Sequence, residues 1–140
     1  MPEKTAIIVM AAGAGTRFKS NRSKLLHNVA GKPSIKYLSD MMIRLNPEQA
    51  VFVLSHQREE IMAIIGDNNA FSFAEQKTLD GTAGAVRVAM AKIKPEVTRI
   101  IILPGDTPTI PDLLVRELMV HTAPIVLVGA ELSDPKGLAE

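Results

Sequence analysis

The sequence has no cysteine, almost no net charge and no long apolar run, and each of these absences removes a class of protein. Without cysteine there are no disulfide bridges, no thiolate metal sites and no cysteine nucleophile. Sixteen Lys and Arg residues stand against fifteen Asp and Glu residues, so the net charge is +1. We therefore expect no bulk attraction to nucleic acid, and any anion-binding site must come from a local arrangement of residues.

The apolar run near the N-terminus, residues 6–10, is too short for the hydrophobic core of a signal peptide or for a membrane span. We therefore expect a cytoplasmic protein without a membrane partner. The hydrophobic fraction of 46% and the charged fraction of 22% are typical of a globular chain. Its 140 residues suffice for one domain with a core and are too few for two, so residues 1–140 are predicted to form a single domain.

Short apolar segments alternate with segments of helical periodicity along the whole chain. The apolar segments are rich in Ile, Val and Phe, which predicts strands buried on both faces. The predicted strands are residues 5–11, 50–55, 70–74, 99–103 and 124–130, and the predicted helices are residues 34–45, 58–65, 82–93 and 111–121. This alternation predicts an α/β fold with a Rossmann-like, open and mainly parallel sheet and helices on both faces.

Three loops of this predicted fold leave the carboxyl ends of strands, where open α/β sheets bind their ligands. They are residues 13–24, 75–82 and 104–108. We expect them to gather at one edge of the sheet and to form the functional site.

The first of these loops combines glycine with positive charge. Its glycines are Gly13 and Gly15, and its cations are Arg17, Lys19, Arg22 and Lys24. Glycine allows positive φ and lets backbone N–H groups approach phosphate oxygens, and four cations in eight residues favour a phosphate ligand. A flexible glycine turn with solvated charges is the alternative. The dinucleotide-binding fingerprint fails at Phe18, and the P-loop fails because no glycine precedes Lys19.

The other two loops contain single polar residues of interest. Gln76 has an amide that can pair with the edge of a base, and Gly81 and Thr82 begin a helix of small residues. The alternative is an Asp-Gly turn before a tightly packed helix. Asp106 follows an apolar strand, where a carboxylate beside a phosphate can hold Mg²⁺. Its alternative role is a cap or turn residue before the last helix.

Taken together, these segments resemble a known family. "MAAGAGTRFKS" followed by "KLLHNVAGKP", then "DGTAGAV" after Gln76, and finally "LPGDTPTI" occur in order over nearly the whole chain. They are similar to the signature segments of sugar-phosphate nucleotidyltransferases, above all to the N-acetylglucosamine-1-phosphate uridylyltransferase domain. The resemblance implies that the nucleotide is cradled by Ala11, Ala12, Gly13, Ala14 and Gly15. It implies that Arg17 and Lys24 neutralise the phosphates and that Gln76, Gly81 and Thr82 contact the base. It also implies that Asp106 is a ligand of Mg²⁺.

The reaction implied by the resemblance is transfer of UMP from UTP to a sugar 1-phosphate, with N-acetylglucosamine 1-phosphate as the expected acceptor. Pyrophosphate leaves, and the attacking phosphate oxygen is already anionic, so no general base is required. A non-catalytic nucleotide-binding module and a cytidylyltransferase acting on an alcohol phosphate are the alternatives, and homo-oligomerisation stays open.

The chain differs from the family pattern in two respects. Ser23 precedes Lys24 where the family has proline, from which we expect a looser loop. The sequence also stops after "DPKGLAE", about where the family continues into its acceptor-binding half. We therefore expect these residues to form the nucleotide-binding half, with the acceptor site and a second metal ligand outside it.

Overall fold

A computed structural model describes residues 3–13 and 22–134 of the chain. The structure contains six strands, four α-helices and, at Lys24–Leu26, one turn of 3₁₀ helix within these ranges. The strands are β1 (Thr5–Met10), β2 (Asn28–Val29), β3 (Lys32–Pro33), β4 (Gln49–Leu54), β5 (Phe71–Glu75) and β6 (Arg99–Pro104). The helices are α1 (Ser34–Leu45), α2 (Arg58–Ile65), α3 (Thr82–Met90) and α4 (Asp112–Val120).

The main sheet has four strands in the order β5-β4-β1-β6, and every pair of neighbours is parallel. β1 is central, with Ile7 opposite Ala50 on one side and opposite Ile101 on the other. β2 and β3 form a separate antiparallel hairpin. Parallel neighbours require crossover connections, and helices supply them here. The predicted α/β class and parallel sheet are confirmed.

Alternate residues of the central strand pack against helices on opposite faces of the sheet. Ile7 and Val9 belong to the core cluster that includes residues of α1, α2 and α4, whereas Ile8 packs with Ala85 and Ala89 of α3. Successive side chains of a strand point to opposite faces, so a strand covered by helices on both sides is apolar throughout. The predicted placement of helices on both faces is therefore confirmed.

The apolar segment 124–130 is not a strand, which corrects the prediction from its composition. It carries no regular secondary structure in the described chain, and the residues Ile125 and Leu127 are 82% and 90% exposed. A strand needs a neighbour to satisfy its backbone N–H and C=O groups, and within residues 3–13 and 22–134 this segment pairs with none. The composition of a segment indicates whether its side chains can be buried. Whether it forms a strand also depends on a neighbouring strand that pairs with its backbone.

None of the helices in the described ranges has the length and apolar character that crossing a lipid bilayer requires.

Gly105 allows the end of β6 to approach the end of β1 closely. Its N–H donates to the carbonyl of Met10 at 2.8 Å. A Cβ atom at position 105 would lie 2.6 Å from that carbonyl oxygen and 2.9 Å from Cα of Ala11. Both of these atoms belong to the backbone, so neither can move without displacing the end of β1. Glycine is therefore required by packing at this position.

We predict that Gly105→Ala lowers the free energy of unfolding by about 1–3 kcal/mol, the usual cost of forcing an extra methyl group into a packed site. Urea denaturation followed by circular dichroism measures the change. Gly129→Ala is the matched control, because a Cβ atom there meets no atom of residues 3–13 and 22–134 within 4 Å. Equal stability of the two variants would show that the approach of the two strand ends is not constrained.

Candidate functional site

The carboxyl ends of the four parallel strands continue into loops that hydrogen bonds hold side by side. The N–H of Ala11 donates to the carbonyl of Val53, and the N–H of Gln76 donates to the carbonyl of Leu54, both at 2.9 Å. Together with the Gly105 bond to Met10, these contacts extend the backbone pairing beyond the strands. The described parts of the three loops therefore lie at the same edge of the sheet.

A cavity of about 340 Å³ opens between these loops. Its volume lies in the usual range for small-molecule sites. Its walls are mostly apolar, and they come from the end of β1, from the β5–α3 connection with the start of α3, and from the last residue of β6. The lining residues are Met10, Ala12, Gly13, Gln76, Leu79, Gly81, Thr82, Ala85 and Pro104.

The first loop contributes two of its predicted nucleotide-binding residues to this cavity. Ala12 and Gly13 line it, and the hydroxyl of Ser55 donates to the carbonyl of Ala12 at 2.7 Å, which fixes that peptide. Ala11 is buried beneath. Gly13 does not adopt the positive φ expected from the sequence, and a Cβ atom there would meet no atom of the described residues within 4 Å.

Three other predicted residues of this loop, namely Ala14, Gly15 and Arg17, lie outside the described residues.

The loop segment before Lys24 is anchored at Ser23. The N–H of Ser23 donates to Oε1 of Gln57 at 2.6 Å, and its hydroxyl accepts from the N–H of Leu25 at 3.3 Å. The first bond requires an N–H group, which proline lacks. Serine in place of proline thus supplies two hydrogen bonds that position Lys24 at the start of the 3₁₀ turn, where the sequence predicted a looser loop.

Lys24 and Asp106 form an ion pair across the edge of the sheet. Nζ of Lys24 lies 2.6 Å from Oδ2 of Asp106, and the two side chains are 36% and 47% exposed. Asp106 lies in the turn after β6, which the hydroxyl of Thr107 closes by donating to the carbonyl of Pro104 at 2.9 Å. Within the described residues no three His, Asp or Glu side chains cluster as metal ligands, so Asp106 provides a single carboxylate here.

Gln76 is buried at the cavity wall, and its side-chain amide is held in place. Nε2 donates to Oδ1 of Asp80 at 2.8 Å and to the carbonyl of Gly81 at 3.1 Å. The bond from Gln76 lowers the pKa of the Asp80 carboxyl, with further lowering from the backbone N–H of Asp80 and from the charge of Arg87. Gly81 has φ = 87°, a left-handed value that favours glycine, and α3 begins directly after it at Thr82.

The sequence did not single out the apolar residues Met10, Leu79 and Pro104 as parts of the cavity wall, nor Asp80 as the partner of Gln76. Strand ends and turn positions are apolar or acidic in many proteins, so their composition carries no signal. The spacing of four residues between Gln76 and Asp80 is also uninformative, because these residues lie in a loop and not on a helix face.

The structure thus combines a parallel sheet, helices on both faces and a cavity beyond the carboxyl ends of the strands, where open α/β sheets bind their ligands. The family model described as "MobA-like NTP transferase domain" matches residues 7–131. The chain belongs to this family.

The comparisons with individual proteins agree with this assignment. The bifunctional protein GlmU of Rubrobacter xylanophilus is 40% identical over 137 residues, which cover 94% of this chain and 28% of that protein. The chain spans 28% to 31% of the length of the curated relatives it matches.

Solved structures share the fold at low sequence identity. The 4-diphosphocytidyl-2C-methyl-D-erythritol synthase of Anaerococcus prevotii superposes with a TM-score of 0.69 at 16% identity, over 84% of this chain and 50% of that one. A manganese complex of Rv0371c from Mycobacterium tuberculosis superposes with a TM-score of 0.65 at 19% identity, over 85% of this chain and 59% of that one. These similarities concern the fold.

Proposed function

We propose that this chain forms the nucleotide-binding part of an enzyme that transfers UMP from UTP to a sugar 1-phosphate, releasing pyrophosphate. The observation that carries the proposal is that the cavity lined by the buried amide of Gln76 is also lined by Pro104, which leads into the turn that holds the Lys24–Asp106 ion pair. Pro104 lines the cavity, and Asp106 follows it by two residues in the same turn. One end of the site therefore suits a base and the other suits a charged phosphate chain.

In this proposal the nucleoside lies in the apolar cavity. Gln76 contacts the base, with Gly81 and Thr82 beside it, because these three residues share one wall. The N–H groups in the first turn of α3 have no partners within the helix and can donate to the ligand. The backbone of Ala12 and Gly13, which line the cavity, borders the nucleotide, because small side chains allow close approach. Ala11, Ala14 and Gly15 complete the nucleotide cradle that the sequence resemblance implies.

The proposed catalysis consists of positioning and charge neutralisation. Lys24, together with Arg17, neutralises the triphosphate so that the leaving pyrophosphate is stabilised. The attacking phosphate oxygen of the acceptor carries its own negative charge, so this chain needs no residue to remove a proton. Orientation of the two phosphates for in-line displacement supplies the remainder of the rate enhancement.

Asp106 fits the first protein ligand of a divalent cation, with Mg²⁺ as the proposed cofactor. Its carboxylate is about half exposed in the turn that follows the cavity residue Pro104, and a magnesium site commonly uses one or two carboxylates with phosphate oxygens and water. The bound cation would polarise the phosphoryl oxygens. In the ligand-free chain Lys24 occupies this carboxylate and therefore competes with a cation for it.

The acceptor is proposed to be N-acetylglucosamine 1-phosphate, which is supported by the likeness of the sequence segments to the uridylyltransferase domain for that sugar. Since the chain spans under a third of its curated relatives, we place the acceptor-binding residues outside it.

For the nucleotide, we predict tighter binding of UTP and dTTP than of ATP and GTP. Gln76 lies at the wall of a cavity of about 340 Å³, where its amide can pair with a pyrimidine edge. Isothermal calorimetry with the four triphosphates and CTP measures the preference. Tightest binding of a purine nucleotide would contradict the prediction, and tightest binding of CTP would favour a cytidylyltransferase instead.

For Lys24, we predict that Lys24→Ala has opposite effects on nucleotide and metal. UTP binding weakens by roughly 1–3 kcal/mol, because a charged hydrogen bond to the phosphates is lost, while binding of uridine is unchanged. Binding of Mn²⁺ in the absence of nucleotide strengthens, because Asp106 loses its competing partner. Calorimetry for UTP and uridine, and electron paramagnetic resonance for free Mn²⁺, measure the two effects.

Two variants serve as controls for this experiment. Lys36→Ala removes a lysine of similar exposure that is paired with Asp40 at 2.9 Å on α1, and it should change neither affinity. Asp106→Asn should abolish the gain in Mn²⁺ binding when combined with Lys24→Ala. Equal weakening of UTP and uridine would show that Lys24 does not face the phosphates.

For activity, we predict that the 140-residue chain releases little or no pyrophosphate from UTP and N-acetylglucosamine 1-phosphate. The described residues contain the proposed nucleotide cavity and one candidate metal ligand, and we place the acceptor site elsewhere. A coupled pyrophosphate assay with Mg²⁺ measures turnover. Robust turnover would overturn the division into two halves and leave the nucleotide site intact.

A further inference from the structure

We propose that Asp80 is a positioning residue that orients the amide of Gln76, so that the cavity faces the amide oxygen and the site selects uracil over cytosine. This inference rests on the proposed function, because it concerns how the same cavity distinguishes bases.

Both donor hydrogens of the Gln76 amide have partners on the protein. Nε2 donates to Oδ1 of Asp80 at 2.8 Å and to the carbonyl of Gly81 at 3.1 Å, and an NH₂ group has only two hydrogens. The reversed amide would place Oε1 against a carboxylate oxygen and a carbonyl oxygen, so that three acceptors would face one another without a hydrogen between them. The charge of Asp80 makes this reversal more unfavourable than a neutral partner would.

Gly84 provides the space in which the Asp80 carboxylate lies. A Cβ atom at position 84 would overlap Oδ1 and Cγ of Asp80. Glycine within a helix costs about 1 kcal/mol relative to alanine, so a glycine inside α3 requires a compensating role. The contact with Asp80 supplies that role. Arg87, one turn further along α3, lies 3.6 Å from Oδ2, the oxygen that does not bind Gln76.

The orientation of Gln76 determines which pyrimidine it accepts. With Nε2 occupied, Oε1 remains as the acceptor that the side chain can offer to a ligand in the cavity. Uracil carries a hydrogen on N3, whereas cytosine has a lone pair there. Oε1 placed opposite N3 therefore accepts a hydrogen bond from uracil and meets a second acceptor in cytosine. Two buried acceptors that face each other without a hydrogen between them are unfavourable, so CTP should bind more weakly than UTP.

The test compares UTP and CTP binding to three proteins by calorimetry. Asp80→Asn keeps the size of the side chain, but its amide can donate as well as accept, so the reversed Gln76 amide then faces one unmatched acceptor, the carbonyl of Gly81, instead of two. We expect the ratio of the CTP to the UTP dissociation constant to fall about three- to tenfold in this variant, as one hydrogen bond loses its fixed direction. Arg87→Ala leaves the bond between Gln76 and Asp80 in place and should keep the wild-type ratio.

A purely structural role for Asp80 would weaken binding of both nucleotides together and leave the ratio unchanged, and that result overturns the proposal. Gly84→Ala is the second variant, because it displaces the carboxylate without changing residue 80. It should lower the ratio in the same direction if Asp80→Asn proves unstable.

A ligand-free measurement separates this proposal from the proposed function. The side-chain NH₂ resonances of Gln76 in ¹H–¹⁵N spectra should shift in Asp80→Asn and stay unchanged in Arg87→Ala. If the wild type binds neither UTP nor CTP, the proposed function fails, and these resonances alone decide the role of Asp80. Unshifted resonances in Asp80→Asn overturn the proposal.

Discussion

The hydrogen bond between Gly105 and Met10 is the contact on which the arrangement at this edge of the sheet depends. It pairs the backbone of β6 with that of β1 one residue beyond the strand, at a separation that excludes any side chain. As a consequence, the turn carrying Asp106 lies next to the end of β1. Parallel strands bring their carboxyl ends to a common edge of the sheet. The hydrogen bond between Gly105 and Met10 then brings the two loops that leave β6 and β1 into direct contact at that edge.

The ion pair between Lys24 and Asp106 gives this edge its electrostatic character. Both side chains are more than a third exposed, and such pairs contribute about 0–1 kcal/mol to stability. A hydrogen bond to a charged group is worth about 1.5–3 kcal/mol. Under the proposed function, breaking the ion pair costs little free energy compared with what Lys24 gains from a phosphate and Asp106 from a cation. Until the ligand binds, the two side chains neutralise each other.

Much of the fold could be predicted from apolar periodicity, because the inner strands β1 and β4 are buried on both sides. Burial on both faces was wrong for the edge strand β6, where Ile100 and Ile102 are exposed. The segment 124–130 shows where that approach fails, since its composition resembles that of the buried strands but its backbone has no neighbouring strand in the described chain. The edge at which Gln76 and Asp106 lie followed from topology. The partners of these residues did not, because Lys24 is 82 positions away from Asp106 and Asp80 lies in an irregular loop.

The glycines of the site differ in what a substitution would reveal. A side chain at Gly84 or Gly105 meets protein atoms, so its cost is present whether or not a ligand is bound. Among the described residues a Cβ atom at Gly13 meets none, although this residue lines the cavity. In a library of variants, we expect selection for folding to restrict position 13 less than positions 84 and 105, whereas selection for nucleotide binding would restrict it further. Positions that are restricted only under selection for binding are therefore the ones that contact the ligand, and they can be identified without a structure of the complex.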